Sequence, residues 1–494
     1  MRRKYFALFL LFILVTIISY SCSSQVEEEH TEQEIEKFKL VSEIKSDNNS
    51  PFYVNLNNYP SYRKNLPIGI FDSGTGGLTV LDAVIKMDRF DNRTHEQGSD
   101  GIPDFISEKF IYLGDRANMP YGRYPSEGKT DFLKELIIKD VRFLLSDKYF
   151  LNPEHKIPRG KKSPVKAVVI ACNTATAYGF ELIEQITERW GLDIKTLGII
   201  ESGAKEAVET TPLSEKEMIG IFATEGTCDS GGYVRALKKF CDKKNHKEIK
   251  VVQQPCFGLA GAIDGDPAYI TYYPEKNREP EIYQGPGIGH PKYPIDLSLW
   301  KEYKFEHGSQ LLVKKDKNKN IRKVEINSIG NYIKYYITSL VTKALKEQVD
   351  CIHSVILGCT HYALFKQEFK EHFFYLRSID EKYKELIPKD LVIIDPAESE
   401  AANLYLHLRE NNLFGKNKNQ ESQFFLSVPN PLLKELNFNS RGEFPIDYKY
   451  GRSINQSVFY VKRIPLTKDL LSSDLCFKLE NHYPDLYRLL FGLY

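Results

Sequence analysis

Two cysteines stand at the ends of apolar runs, and small polar residues follow each at once. Residues 165–177 read VKAVVIACNTATA, with Asn173 and Thr174 directly after Cys172. Residues 354–361 read SVILGCTH, with Thr360 and His361 directly after Cys359. A short β-branched run reads as a buried strand of a parallel sheet. Open α/β sheets place their ligands at the carboxyl ends of such strands. A thiol beside a helix N-terminus, with backbone N–H groups aimed at it, can act as a base or a nucleophile. One such cysteine alone is more often plain packing, because free Cys is among the most buried residue types. The second copy favours two thiols facing one pocket.

Other strand ends join them. Residues 66–80, LPIGIFDSGTGGLTV, predict a strand closed by Asp72 and Ser73, with GTGG turning into a helix. This turn carries no Gly-Lys-Ser/Thr and no GxGxxG, so a phosphate cradle is disfavoured. Residues 110–124, FIYLGDRANMPYGRY, predict a strand and then a turn through Pro120, Tyr121 and Gly122, with a helix over about 129–146. The central cysteine strand is expected to lead into a helix starting near Tyr178. Strand-then-helix patterns recur at 197–207 and 217–232, a helix at 326–348, and strands at 391–397 and 457–461. IGIF occurs at 68–71 and again at 219–222, and each half later reaches a cysteine-ended strand. This weak duplication predicts an α/β protein of two pseudo-symmetric lobes. Each lobe has a mostly parallel sheet flanked by helices, and the cleft lies between them.

The chain has 494 residues, 42% hydrophobic and 27% charged, enough for two or three domains with real cores. A net charge of +1 gives no electrostatic case for nucleic acid. Eight cysteines without a CxxC do not read as a disulfide framework. Arg2, Arg3 and Lys4 precede an apolar run at 6–18 and then Ser19-Tyr20-Ser21-Cys22. This resembles a bacterial lipoprotein signal over 1–21 with Cys22 lipidated, so an exported, membrane-anchored protein facing the periplasm or cell surface is expected. A plain signal peptide or N-terminal anchor is the alternative; the run is short for a spanning helix of about 20 residues. Residues 22–65 read as a flexible tether, with globular mass beginning near Leu66. The 88–109 and 266–323 stretches read as insertions, the latter as irregular structure.

Six stretches, IGIFDSGTGGLTVL, YLGDRANMPYG, ACNTATA, GIIESGA, IGIFATEGT and LGCTHYALF, follow one another in a recognisable order. Through them the chain resembles the aspartate/glutamate racemase superfamily, and most of all glutamate racemase. The resemblance implies racemisation without cofactor or metal and a small acidic amino acid as substrate. It also implies service to peptidoglycan and a homodimer. It makes Cys172 and Cys359 the acid/base pair on opposite faces of the substrate α-carbon, with Asp72 and His361 assisting. It assigns Asp72, Ser73, Pro120, Tyr121, Gly122, Asn173, Thr174, Thr227, Thr360 and His361 to the substrate. It divides the chain into lobe 1 (66–197 plus about 390–494) and lobe 2 (198–389, carrying the 266–323 insertion).

Some features depart from the family: the chain is longer and carries an export signal, and Asp264 aligns with the family's acidic partner of the histidine only after a two-residue shift. Two rival readings stand beside the enzyme. Cys351 and His353 with Cys359 and His361 are plausible zinc-ligand types. Alternatively, the cleft serves a non-catalytic lipoprotein that binds an amino acid or dicarboxylate.

Overall fold

The computed structural model describes residues 32–211, 217–244, 249–271, 283–415, 421–433, 444–471 and 473–492. Cys22 and the signal-like segment lie outside the described residues. In chain order the strands are β1 (Ile68–Asp72), β2 (Phe110–Gly114), β3 (Lys148–Tyr149), β4 (Gly160–Lys161), β5 (Ala167–Ile170), β6 (Lys195–Gly198) and β7 (Glu217–Ala223). They continue with β8 (Lys250–Pro255), β9 (Leu311–Lys315), β10 (Ile321–Ile326), β11 (Cys351–Gly358), β12 (Val392–Ile394), β13 (Gln423–Pro429) and β14 (Val461–Pro465).

The larger sheet has the order β14-β13-β2-β1-β5-β6, parallel except for the antiparallel β13–β14 pair. The smaller sheet has the order β12-β11-β7-β8 and is parallel throughout. This is the expected α/β architecture, with one sheet in each lobe. The two IGIF copies fall on β1 and β7, interior strands of their sheets. Each copy pairs with the strand that leads to a cysteine: Phe71 is opposite Ile170, and Phe222 opposite Leu357.

Every residue of β1, β2 and β5 is buried, as a parallel sheet covered on both faces requires. Alternation divides them between two cores. Phe71, Ile111, Leu113, Val168 and Ile170 enter one, beneath the helices Thr130–Leu145 and Asn173–Arg189. Ile68, Ile70, Tyr112, Ala167 and Val169 enter the other, beneath Leu78–Lys86 and Pro396–Glu410.

Five expectations need correction. The segment before Leu66 is no tether over its described part. The helix Lys39–Ser46 buries Leu40, Val41 and Ile44, and Phe52, Val54 and Leu56 follow them into the first core. Trp190 Nε1 donates to the Val41 carbonyl at 3.1 Å, and the Tyr59 hydroxyl donates to the Val165 carbonyl at 2.6 Å. Its high charge content hid an amphipathic helix only eight residues long.

The helix after Cys172 begins at Asn173, not near Tyr178, because Cys172 itself caps it: its Sγ accepts from the Ala175 N–H at 3.4 Å. Small polar residues that favour turns in isolation are here the first helical turn. The last strand lies at Val461–Pro465 rather than 457–461. The 266–323 insertion is not wholly irregular, since β9 and the start of β10 form an antiparallel hairpin there. The lobe boundary also shifts, because β12 pairs with β11 in the second sheet; the chain re-enters the first lobe only after it.

Candidate active site

Asp72 ends β1, and the glycine turn folds over its side chain. Its Oδ2 accepts from the Gly74 N–H at 3.0 Å. A Cβ on Gly77 would stand 2.4 Å from the Asp72 Cβ, so that turn needs glycine. The Cys172 Sγ lies 3.6 Å from the Ser73 Oγ. Burial, then the charge of Asp72, pushes the Cys172 thiol up to about 12. Burial also raises Asp72 itself, against the pull of His361 and the N–H groups around it.

The second centre follows β11. His361 Nδ1 is 3.6 Å from the Cys359 Sγ, and Nε2 is 3.2 Å from Asp264 Oδ1. The latter is an ion-pair contact rather than an aligned hydrogen bond, since Nε2 has no well-directed acceptor among the described residues. Burial alone would lower His361. The Asp264 carboxylate and Cys359 together override it and hold the imidazole well above its ordinary value, favouring the charged ring.

The lobes meet at these turns. The place a Gly76 Cβ would take is 2.5 Å from Thr360 Oγ1 and 2.7 Å from His361 Cε1. The Thr79 hydroxyl reaches the Thr360 carbonyl at 3.4 Å. A chain of neighbours thus runs from Cys172 through Ser73 and Asp72 across to His361 and Cys359. Both thiols are free and 6% exposed, sunk but reachable.

A hydroxyl cluster lies beside them. Thr174 Oγ1 is 3.1 Å from Thr227 Oγ1 and 3.3 Å from Thr224 Oγ1. A Cβ on Gly122 would stand 3.0 Å from Thr224 Oγ1, so the 120–122 turn faces this cluster. The Asn173 Oδ1 accepts from the Tyr233 hydroxyl at 2.6 Å. Asn173 Nδ2 and Asp72 Oδ1 are buried with no hydrogen-bond partner among the described residues. Buried polar atoms are normally paired, so these two offer an unused donor and an unused acceptor beside the thiols.

The structure therefore gathers Asp72, Ser73, Gly122, Cys172, Asn173, Thr174, Thr227, Cys359, Thr360 and His361. Pro120 stands at the head of the short turn Tyr121–Arg123. The Tyr121 side chain points away from the cluster: it is 1% exposed, and its hydroxyl lies between Asp115 and Asp140 in the lobe 1 interior. Thr224 and Tyr233 were missed. Thr224 left a signal as the N-cap of Glu225–Asp229, the first Thr of TEGT; Tyr233 left none. Asp264, whose match needed a shift, is where the histidine requires it. The zinc reading is overturned. Cys351 and Cys359 stand at opposite ends of an eight-residue strand, roughly 25 Å apart at a strand's rise. Among the described residues no three His, Cys, Asp or Glu gather to hold a metal.

No family model matches the chain. A glutamate racemase of Geobacter metallireducens is 32% identical over 209 residues, covering 41% of this chain and 59% of the relative. One from Oceanobacillus iheyensis is 34% identical over 172 residues, 35% of this chain and 46% of the relative. The chain thus spans about half the length of these curated relatives. One from Streptococcus equi subsp. equi is 31% identical over 230 residues, 42% of this chain and 70% of the relative. Among solved structures, glutamate racemase isoform RacE1 of Bacillus anthracis is 23% identical with a TM-score of 0.44, covering 74% of this chain and 89% of that one. With 70% of this last curated relative covered at 31% identity, the chain belongs to the glutamate racemase family.

Proposed function

We propose that the protein is a cofactor-independent racemase that interconverts L- and D-glutamate, or a similar acidic amino acid, through two thiols. The observation that carries this reading is Cys172 beside Ser73 and under the charge of Asp72, and Cys359 beside His361, at two turns in contact across the lobes.

An amino-acid α-proton is very weakly acidic, so its removal needs a positioned base and nearby donors for the developing carbanion. One sulfur, as thiolate, takes the α-proton: the Cα–H bond breaks, an S–H bond forms, and the electron pair passes toward the carboxylate. The other, as thiol, delivers its proton to the opposite face and is left as thiolate. Its sulfur is then the base for the reverse direction. The Cys172 thiol is uncharged in the free protein; the substrate ammonium beside it would favour the thiolate. His361, charged, is placed to exchange a proton with Cys359. Asn173 Nδ2, the threonine hydroxyls and the 120–122 turn offer donors for the carboxylates.

Incubation of the reduced protein with single L- and D-amino acids in D2O tests the reading. Solvent deuterium at the α-carbon of glutamate or aspartate is expected. No exchange with any amino acid of the panel would leave only the binding-lipoprotein alternative, which no specific observation favours. Export and anchoring through Cys22 form a separate part of the proposal. Radiolabelled palmitate should enter the full chain and be lost in Cys22→Ser; no label in the parent contradicts it.

A further inference from the structure

The turn that faces the hydroxyl cluster is held from behind by a segment more than 300 residues away in sequence. The Asn118 amide donates to both Asp115 carboxylate oxygens, at 3.0 and 2.9 Å, and its Oδ1 accepts from Arg452 Nη2 at 2.8 Å. Arg452 also reaches the Tyr124 hydroxyl at 3.3 Å, and Lys449 Nζ donates to the Met119 carbonyl at 2.8 Å. Two residues further along the turn, the Tyr121 hydroxyl sits 2.6 Å from Asp115 Oδ2 and 2.7 Å from Asp140 Oδ2, and Arg463 pairs with Asp140 at 2.6 Å.

The frame is fixed in place. Arg452 is 5% exposed. Its guanidinium carbon lies 4.8 Å from the ring centres of both Phe132 and Phe444 and 5.3 Å from that of Tyr460. A planar cation among aromatic faces is oriented by them. On its other side the turn is pressed close: the Gly122 carbonyl oxygen is 2.6 Å from where a Gly226 Cβ would stand.

We propose that Arg452, supported by Lys449 and Arg463, is a positioning residue that holds the 118–122 turn against Thr174, Thr224 and Thr227 and so sets how tightly substrate binds. Its kinetic consequence rests on the racemase reading; its structural consequence does not. Arg452 touches no reacting atom and acts through Asn118 and the Met119–Gly122 backbone.

The test compares the parent with Arg452→Met, which keeps the long apolar stem but cannot donate to Asn118, and with Arg452→Lys, which restores a cationic donor. KM and kcat for racemisation are measured, together with amide hydrogen exchange of the peptide covering 118–122. Arg452→Met should raise KM about tenfold, with kcat within about threefold, and speed exchange at the turn about tenfold. Arg452→Lys should recover part of both. A folded Arg452→Met with unchanged KM and unchanged exchange at 118–122 overturns the proposal. So does exchange that rises equally throughout the first lobe. If Arg452→Met does not fold, Lys449→Met is expected to give the same two changes at smaller size, and their absence overturns the proposal. If the parent racemises nothing, the activity reading fails, and the exchange measurement alone decides the positioning role.

Discussion

Burial keeps Cys172 protonated until something positively charged enters beside it. Its thiol is pushed up to about 12, so at neutral pH the empty site holds a thiol there, and a bound ammonium is the natural trigger for its ionisation. Replacing either sulfur removes one of two acid/base groups, each worth about 10²–10⁴-fold. Cys172→Ala and Cys359→Ala should each abolish detectable racemisation in both directions while leaving the circular dichroism spectrum intact. Full turnover in either would remove the two-thiol scheme.

The second base has its own dependence. His361 is raised because Asp264 and Cys359 together outweigh its burial. In Asp264→Asn burial prevails and the imidazolium is lost at lower pH. The alkaline fall of kcat/KM should then move to lower pH, and kcat/KM at pH 8 should drop roughly 10²-fold, as read from a pH–rate profile. The sign for stability follows the same linkage. A histidine raised in the folded state contributes fully below its unfolded value of about 6.5, and loses that contribution as pH rises through the folded value. The sulfurs and their flanking Asn, Thr and His were legible because a strand end fixes where they must point. Asp264 was only half legible, since a partner across a fold is set by distance in space and not by spacing in the chain. The inward direction of the Tyr121 side chain was not legible either, because the sequence does not say which way a turn residue faces.

At the scale of elements, the glycine turn after β1 is where the lobes touch. A methyl group on Gly76 would meet Thr360 Oγ1 at 2.5 Å and the His361 ring at 2.7 Å. Gly76→Ala should therefore force the two turns apart, costing about 1–3 kcal/mol of stability by overpacking and lowering kcat/KM at least tenfold. Denaturant unfolding and steady-state kinetics measure the two effects. Wild-type kinetics in Gly76→Ala would mean the turns have slack. The strands β1, β2, β5, β7 and β11 were legible because buried parallel strands are unbroken apolar runs, whereas β8 and β13 were not foreseen and β14 was misplaced. Less legible was the start of the Asn173–Arg189 helix, where Thr and Ala after Cys172 read as a turn while the sulfur supplies the cap.

At the scale of the whole molecule, the first lobe is assembled from two distant pieces of chain, one running from Lys39–Ser46 to β6 and the other from Pro396–Glu410 onward. Helix Lys39–Ser46 closes one face of its core, and β13 and β14 extend its sheet. The duplication of IGIF revealed two lobes, but the polar character of residues 32–65 concealed that they belong to one of them. Ile44 is fully buried there. Ile44→Ala should cost about 2–4 kcal/mol, seen as a lower denaturation midpoint with an unchanged slope. A change within about 0.5 kcal/mol, as at exposed sites, would mean the segment is dispensable to the core.

Everything chemical in this account depends on two sulfurs addressing opposite faces of one carbon. The most direct measurement starts from pure L-glutamate in D2O and follows deuterium at early conversion, separately in the recovered L-enantiomer and in the D-product. Two thiols on opposite faces predict α-deuterium in the D-product while the recovered L-glutamate remains protiated. Equal deuterium in both enantiomers from the earliest points would mean a single base exchanging with solvent, and would contradict the account.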